Sequence, residues 1–475
     1  MRRLLLAGAA ALALAACSGG PRSVATASDV ALPRAFVFAP AAAESASLAA
    51  LLPLDDPAFR ALSEQALAQA PDLQAAVARI EAARALGDRS RAERLPQVDG
   101  GASVDSRRQN VGQFGPAADF IDPVQTSFGA NLTARWDADL FGQLRARERA
   151  AAARIDAAGA EAAAVRLALI GDVAAAVIDW RTLQRREAAL AADLRAAEEL
   201  ARLSGVRERA GLSPGVDRVR AQALAAASRS RLASLGGERA AVVGRLVTLT
   251  GQGAEPVLAA LAQPSVSNSG AATPTALPST LLTRRPDVLA AGARLRAADA
   301  DLASAAAARF PRLSLSAGLG LLSFSLGGLF ETESIVGNVG AGLAAPLLDF
   351  GRLRADEARA RAGTVEALAL YRGTVYRALG EAESGYALIA SLASELGAAR
   401  SQAALQQRSA RLVEVRYRAG LTSFLDVLEA RRAATGAADA VAAAQGRLTR
   451  ARVLLWRSLG GSEFPAASSS VLPRS

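Results

Sequence analysis

Catalysis draws mostly on His, Lys, Cys and paired carboxylates, and this 475-residue chain is almost empty of the first three. It has no His, which removes Ser-His and Cys-His nucleophilic pairs and most zinc sites. It has no Lys either, so every basic side chain is an Arg. The one cysteine, Cys17, excludes an intramolecular disulfide and a Cys-based metal site. Carboxylates remain, but they alternate with Arg along Ala-rich stretches, as in Glu148-Arg149 and Arg207-Glu208-Arg209. Composition thus argues against an enzyme and implies no cofactor. The formal charge of +10 raises nucleic acid as a partner, yet few aromatics are interleaved to stack on bases. A solvated helix face fits better, so no nucleic acid is expected.

The chemistry that Cys17 can undergo is acylation. Arg2 and Arg3 precede an apolar run, Leu4 to Ala13, and then Leu14-Ala15-Ala16-Cys17. Such a run is too short to span a bilayer and reads as a signal peptide over residues 1–16. Small residues before Cys17 suit lipoprotein processing, leaving a lipidated Cys17 as the first mature residue; an ordinary A-x-A-type cleavage site is the alternative. Ser18 rather than Asp follows, which by resemblance to sorted lipoproteins favours the outer membrane. Residues 17–56 form the segment leading from this anchor.

The rest of the chain organises around proline. None occurs between Val124 and Ser213 or between Leu347 and Phe464. Interior Pro breaks helices, and these gaps are rich in Ala, Leu and Arg, so they predict long helices. One runs from Gly142 to about Ser204 and one from Gly351 to about Arg416, each roughly 60 residues or about 90 Å. Helices of that length imply packing against other long helices.

The chain also repeats itself. Phe141-Gly142 recurs as Phe350-Gly351, and Gly251 as Gly460, at an offset of 209. Val206 to Asp217 recurs at the same offset as Val415 to Asp426, sharing Val-Arg-x-Arg-Ala-Gly-Leu and the closing Asp. Pro71-Asp72 and Pro96 recur as Pro286-Asp287 and Pro311 at an offset of 215. Repeat 1 therefore covers 57–254 and repeat 2 covers 279–461, with a Pro-rich equatorial linker at 255–278 and a tail at 462–475. Each repeat holds a leading helix, two strands, a long helix, a tip turn and a return helix. The tip turns fall at 209–214 and 418–423. Their Gly residues suit the left-handed end of a helix, and Ser213-Pro214 reads as an N-cap followed by Pro at the first helical position.

Between helices the period changes to two. Leu313, Leu315, Ala317, Leu319 and Leu321 alternate with Ser and Gly; Phe128, Ala130, Leu132, Ala134 and Trp136 alternate with polar or small residues. Strands follow at about 97–108, 125–137, 312–322 and 335–345. Their length and one apolar face suit a tilted membrane strand; a hairpin on a soluble core is the alternative. Four strands cannot close a barrel, so in a membrane the chain must oligomerise. Two copies give eight strands and three give twelve.

Three segments resemble the outer-membrane factor family, the TolC-like channels of efflux pumps, in the NodT-type lipoprotein branch. These are Leu281-Leu282-Thr283-Arg284-Arg285-Pro286-Asp287, Ala308-Arg309-Phe310-Pro311 and Ala345 to Arg354. Trp136 to Gly142 resembles the matching element of the first half. The resemblance implies an α+β membrane protein and a homotrimer. Its twelve-stranded outer-membrane β-barrel would continue into a long periplasmic α-helical barrel. It also implies a periplasmic adaptor, an inner-membrane proton-driven pump, and contact with outer-membrane lipid. The function implied is a passive duct for drugs or other small molecules. A channel for type I protein secretion and a periplasmic scaffold lipoprotein are the competing readings.

Carried over by position, Leu425 matches the family's apolar constriction, Asp426 and Glu429 match acidic ring positions, and Phe424 adds bulk to this gate. One carboxylate per chain becomes a ring of three at a pore, which attracts cations. Asp426 also suits a helix cap, where negative charge is favourable. Arg416 and Tyr417 are implied to support the closed state through bonds between helices. Gly211-Leu212 and Gly420-Leu421 are the implied adaptor-docking points.

Overall fold

The computed structural model describes residues 30–40, 47–110, 122–265 and 273–461. In chain order the elements are α1 (Pro57–Gln69), α2 (Pro71–Ala92), β1 (Gln97–Arg108), β2 (Val124–Asp137), α3 (Gln143–Arg209), α4 (Gly215–Thr250), α5 (Ala254–Leu261) and α6 (Leu281–Arg284). They continue with α7 (Pro286–Ala307), β3 (Arg312–Ser323), β4 (Ile335–Ala344), α8 (Arg352–Arg418) and α9 (Phe424–Ser458). The order strand, strand, long helix, return helix thus occurs twice.

The boundaries differ from the sequence reading in four places. The long helices α3 and α8 each run 67 residues and end at Arg209 and Arg418, past Ser204 and Arg416. Gly205 lies inside α3, since one glycine in a long helix costs only about 1 kcal/mol. The leading stretch 57–94 is two helices, because Pro71 supplies no N–H and the residue before it, Ala70, takes an extended ψ of 123°. The stretch 255–278, read as linker, carries the apolar turn α5 at its start. The fourth difference is a helix cap, described with the site below.

The chain divides into two compact units, and each long helix contributes residues to both. The first unit joins residues 80–158 and 291–371. Its sheet is an antiparallel meander in the order β1-β2-β3-β4. Gln97 lies opposite Arg135, Ala130 opposite Leu321, and Arg312 opposite Ala344. The apolar face rests on no core: Val104, Leu132, Leu319, Val339 and Leu343 are all exposed. The helical part of this unit buries Ala146, Ala150, Ala153 and Ala157 along one stripe of α3, together with Leu295 and Leu302 of α7. Small side chains at that spacing let helices approach closely. Ion pairs Arg154–Asp301, Arg296–Asp156 and Arg309–Glu357 line the solvent side.

The second unit joins Val30–Arg79, Gly159–Ala290 and residues from Arg372 onward. Its core holds Val173, Val177 and Trp180 of α3, Leu246 of α4, Phe59 and Leu62 of α1, Leu261 of α5, and Leu455 and Trp456 of α9. Two buried arginines tie non-helical chain to this core. Arg181 donates to both carboxylate oxygens of Asp56, at 2.8 and 3.1 Å, and to the carbonyls of Leu261 and Gln263. Burial pushes the Asp56 carboxyl up, but the Arg181 bonds outweigh it and hold it below its ordinary value. Arg285 donates to both oxygens of Asp287 and to the Ser458 carbonyl, and pairs with Glu381 at 2.7 Å. No described helix is long and apolar enough to cross a membrane.

Candidate functional site: two helix–helix turns

Both candidate turns lie in the second unit. The first joins α3 to α4 and the second joins α8 to α9. Each begins with a left-handed glycine, Gly211 at φ 71° and Gly420 at φ 75°. The next residue bonds back five positions: Leu212 N–H donates to the Arg207 carbonyl at 2.8 Å, and Leu421 N–H to the Arg416 carbonyl at 2.9 Å. This arrangement satisfies the last carbonyls of each long helix and requires a residue without a Cβ penalty. Leu212 and Leu421 are left exposed, as are both glycines.

The caps then diverge. Ser423 caps α9: its Oγ accepts from the Asp426 N–H at 3.3 Å and donates to Asp426 Oδ2 at 2.8 Å. The Ser423 N–H returns a bond to Asp426 Oδ2 at 3.0 Å, completing a capping box. Thr422 Oγ1 donates to the same oxygen. The Thr422 bond first, then those from Ser423, hold the Asp426 carboxyl below its ordinary value, with a smaller contribution from the Arg416 charge. Asp426 is therefore an exposed carboxylate already engaged as a cap. At the first turn the N-cap position is Pro214, with no side-chain bond. The expected Ser213 cap does not form, and Ser213 Oγ is buried without a partner among the described residues. Pro214 at φ −69° and ψ 147° keeps the extended geometry of a cap residue, so the helix starts one position later, at Gly215.

Phe424 was expected to add bulk at a gate, and the structure places it elsewhere. It is buried among Leu200 of α3, Ala221 of α4, Tyr417 of α8 and Val427 of α9. Its ring meets the Tyr417 ring edge-on at 5.7 Å. An aromatic buried in a cluster drawn from four helices, its own included, helps fix their spacing. Leu425 and Glu429 are exposed, and Glu429 forms no ion pair among the described residues.

Of the two residues expected to join helices, Tyr417 does so. The Arg207 guanidinium lies 4.8 Å from its ring centroid and also donates to the Tyr417 carbonyl. Arg416 is exposed and contributes its backbone carbonyl and its charge. Arg418 pairs with Glu414 along its own helix, and Glu414 also receives Arg431 of α9 at 2.7 Å. Arg431 and Asp193 escaped the sequence reading. Asp193 accepts from Ser228 of α4 and Thr435 of α9, at 2.7 and 2.6 Å. No short-range pattern marks such residues, because their partners lie on helices distant in sequence. Cys17 lies outside the described residues.

Two exposed strands edges, long helix hairpins and paired turns of this kind have close counterparts. The family model for outer membrane efflux proteins matches residues 62–252 and 277–461. The pyoverdine export outer membrane protein OpmQ of Pseudomonas aeruginosa is 34% identical over 411 residues, covering 85% of each chain. Outer membrane protein OprJ of the same species is 32% identical over 467 residues, covering 95% of this chain and 94% of its own. Among solved structures, the outer-membrane channel OprN superposes with a TM-score of 0.85 at 31% identity, over 94% of this chain and 99% of its own. The match spans the strands and both turns alike, and this chain belongs to the outer membrane efflux protein family.

Proposed function

We propose that the chain is one subunit of a homotrimer serving as the passive outer-membrane duct of a tripartite efflux pump for drugs or other small molecules. The observation that carries this reading is the sheet. Its apolar face is bare, as a wall against lipid requires, and its β1 and β4 edges are unpaired, so four strands alone leave backbone hydrogen bonds unmet. Three copies would give a twelve-stranded barrel continuous with a periplasmic tunnel of long helices, each copy supplying both halves of an internal duplication. The role of OpmQ in pyoverdine export supports a small-molecule cargo. Cys17 would carry the lipid anchor, and no other cofactor or catalytic group is called for.

In this assembly Leu425, Asp426 and Glu429 narrow the tunnel, with Phe424 and Tyr417 as the packed support beneath them. The exposed pairs Gly211-Leu212 and Gly420-Leu421 receive a periplasmic adaptor, which links the duct to a proton-driven inner-membrane pump. Low-resolution imaging of the purified protein in detergent tests the assembly: a threefold tube is expected, and particles without threefold symmetry would overturn it. Replacing Cys17 by Ser should abolish labelling with radioactive palmitate; persistent label would sink the lipid assignment.

A further inference from the structure

The second unit holds a cavity of about 440 Å³, none of whose walls comes from either turn. The walls come from the segment 49–56 ahead of α1, from α3, from α8 and from α9. Leu51, Ile178 and Leu448 are buried side chains on its apolar side. Its cationic lining is four arginines: Arg181 and Arg185 of α3, Arg400 of α8 and Arg452 of α9. Only two carboxylates share the cavity with them, Asp55 and Asp56.

These charges do not cancel. Asp56 is committed to Arg181, which donates to both its oxygens. Arg185 and Arg452 pair with no carboxylate among the described residues. The Nε of Arg452 is buried and has no hydrogen-bond partner there either. Burial pushes both guanidinium groups below their ordinary value, and the neighbouring Arg181 charge adds to this at Arg185. Arg stays charged all the same, so each is a partly buried cation without a counter-charge of its own. Water can satisfy its N–H groups but cannot neutralise it. Other partly buried arginines of this unit do have partners, Arg186 with Asp439 and Arg431 with Glu414.

We propose that this cavity binds a small soluble organic phosphate, with the phosphate group between Arg185 and Arg452 and the apolar body against Leu51, Ile178 and Leu448. Four guanidinium groups against two carboxylates leave two positive charges in excess, which matches a phosphate monoester dianion better than a single carboxylate. Guanidinium forks suit phosphate oxygens through parallel N–H bonds. The volume lies within the roughly 300–1,000 Å³ of small-molecule sites, more than inorganic phosphate needs. All four strands belong to the other unit and no described helix can cross a membrane, which favours a soluble ligand over a lipid. The site lies within one chain and stands apart from the duct reading. A bound phosphate would tie α3 of the first repeat to α9 of the second and stabilise their packing by mass action.

Isothermal titration calorimetry tests this on the full-length protein in detergent, near neutral pH and at constant ionic strength in chloride, with n-butyl phosphate as the probe. Saturable binding is expected, about tenfold tighter than that of inorganic phosphate or pentanoate. Arg185→Gln and Arg452→Gln should each weaken it about tenfold or more. In phosphate-free buffer both variants should melt at or above the temperature of the native chain, because each removes an unpaired cation. Melting well below it would assign these arginines to structure and overturn the site. No binding by the native chain, or undiminished binding by both variants, would overturn it too. Equal affinity for inorganic phosphate or pentanoate would overturn the ligand class, and tighter binding of a phosphatidic acid in the same micelles would overturn its solubility.

Discussion

At the first helix–helix turn a glutamate and an arginine hold the helices together; at the second, the same two positions are a tyrosine and a valine. Glu208 Oε2 receives Arg218 Nε at 2.6 Å, with both side chains about a third exposed. At the 209 offset these positions are Tyr417 and Val427, both buried in one cluster with Phe424. Phe424 in turn replaces Gly215, Ser423 replaces Pro214, and Glu429 replaces Arg220. The backbone of the two turns is nearly the same up to Leu212 and Leu421, so the difference lies in what seats the return helix. The first turn is closed by a solvated ion pair, the second by an aromatic core and a capping box. A constriction needs side chains held at fixed positions, and at the second turn the buried ring and the capping box hold the start of the return helix.

The largest expected break in this comparison is Phe424→Ala. Removing a buried aromatic should lower the local opening free energy of α9 by about 3–5 kcal/mol, read by native-state hydrogen exchange. The matched change Gly215→Ala should alter α4 by no more than about 1 kcal/mol, since the nearest atom to the added Cβ is the movable Glu208 carboxylate. Comparable losses at both turns would erase the distinction. Next comes Ser423→Ala, which removes the cap and should cost about 1 kcal/mol in the same measurement. Ser213→Ala should be neutral or slightly stabilising, because its hydroxyl has no partner among the described residues.

Smaller still is Glu208→Gln, expected to cost less than about 1 kcal/mol and to lose its effect as salt is raised. A salt-independent loss would show that the pair is less solvated than it stands here. The last contrast is with pH. The Asp426 carboxyl is held below its ordinary value of 3.8, so its contribution to α9 is present above that value and fades as pH falls through the lower folded one. Asp426→Asn should remove this acid-side decline in exchange protection at the start of α9. Retention of the decline in the variant would assign it to another group.

Strands and long helices were legible because their signals are local and repeated. Alternation over ten residues leaves little ambiguity, and the proline-free stretches set where long helices could lie. The apolar face rests on no core among the described residues, whereas periodicity alone left a hairpin on a soluble core open. The site was legible in part. Gly211 and Gly420 were marked by type, since a left-handed residue at a helix end has few alternatives. Phe424 was misread because an apolar residue in a turn looks exposed until helices from both halves of the chain close over it. Ser213-Pro214 was misread because the sequence cannot tell a proline at the cap from one just inside the helix. The Arg181–Asp56 pair joins residues 125 positions apart, and no local pattern announces it.

Single-channel recording in planar bilayers tests the central claim most directly. The double variant Asp426→Ala with Glu429→Ala, at the second turn, should raise conductance and weaken block by divalent cations. The matched pair Asp217→Ala with Arg220→Ala, at the first turn, should leave both unchanged. Unchanged conductance in the second-turn variant, or an increase confined to the first-turn variant, would contradict the assignment of the constriction to Leu425, Asp426 and Glu429.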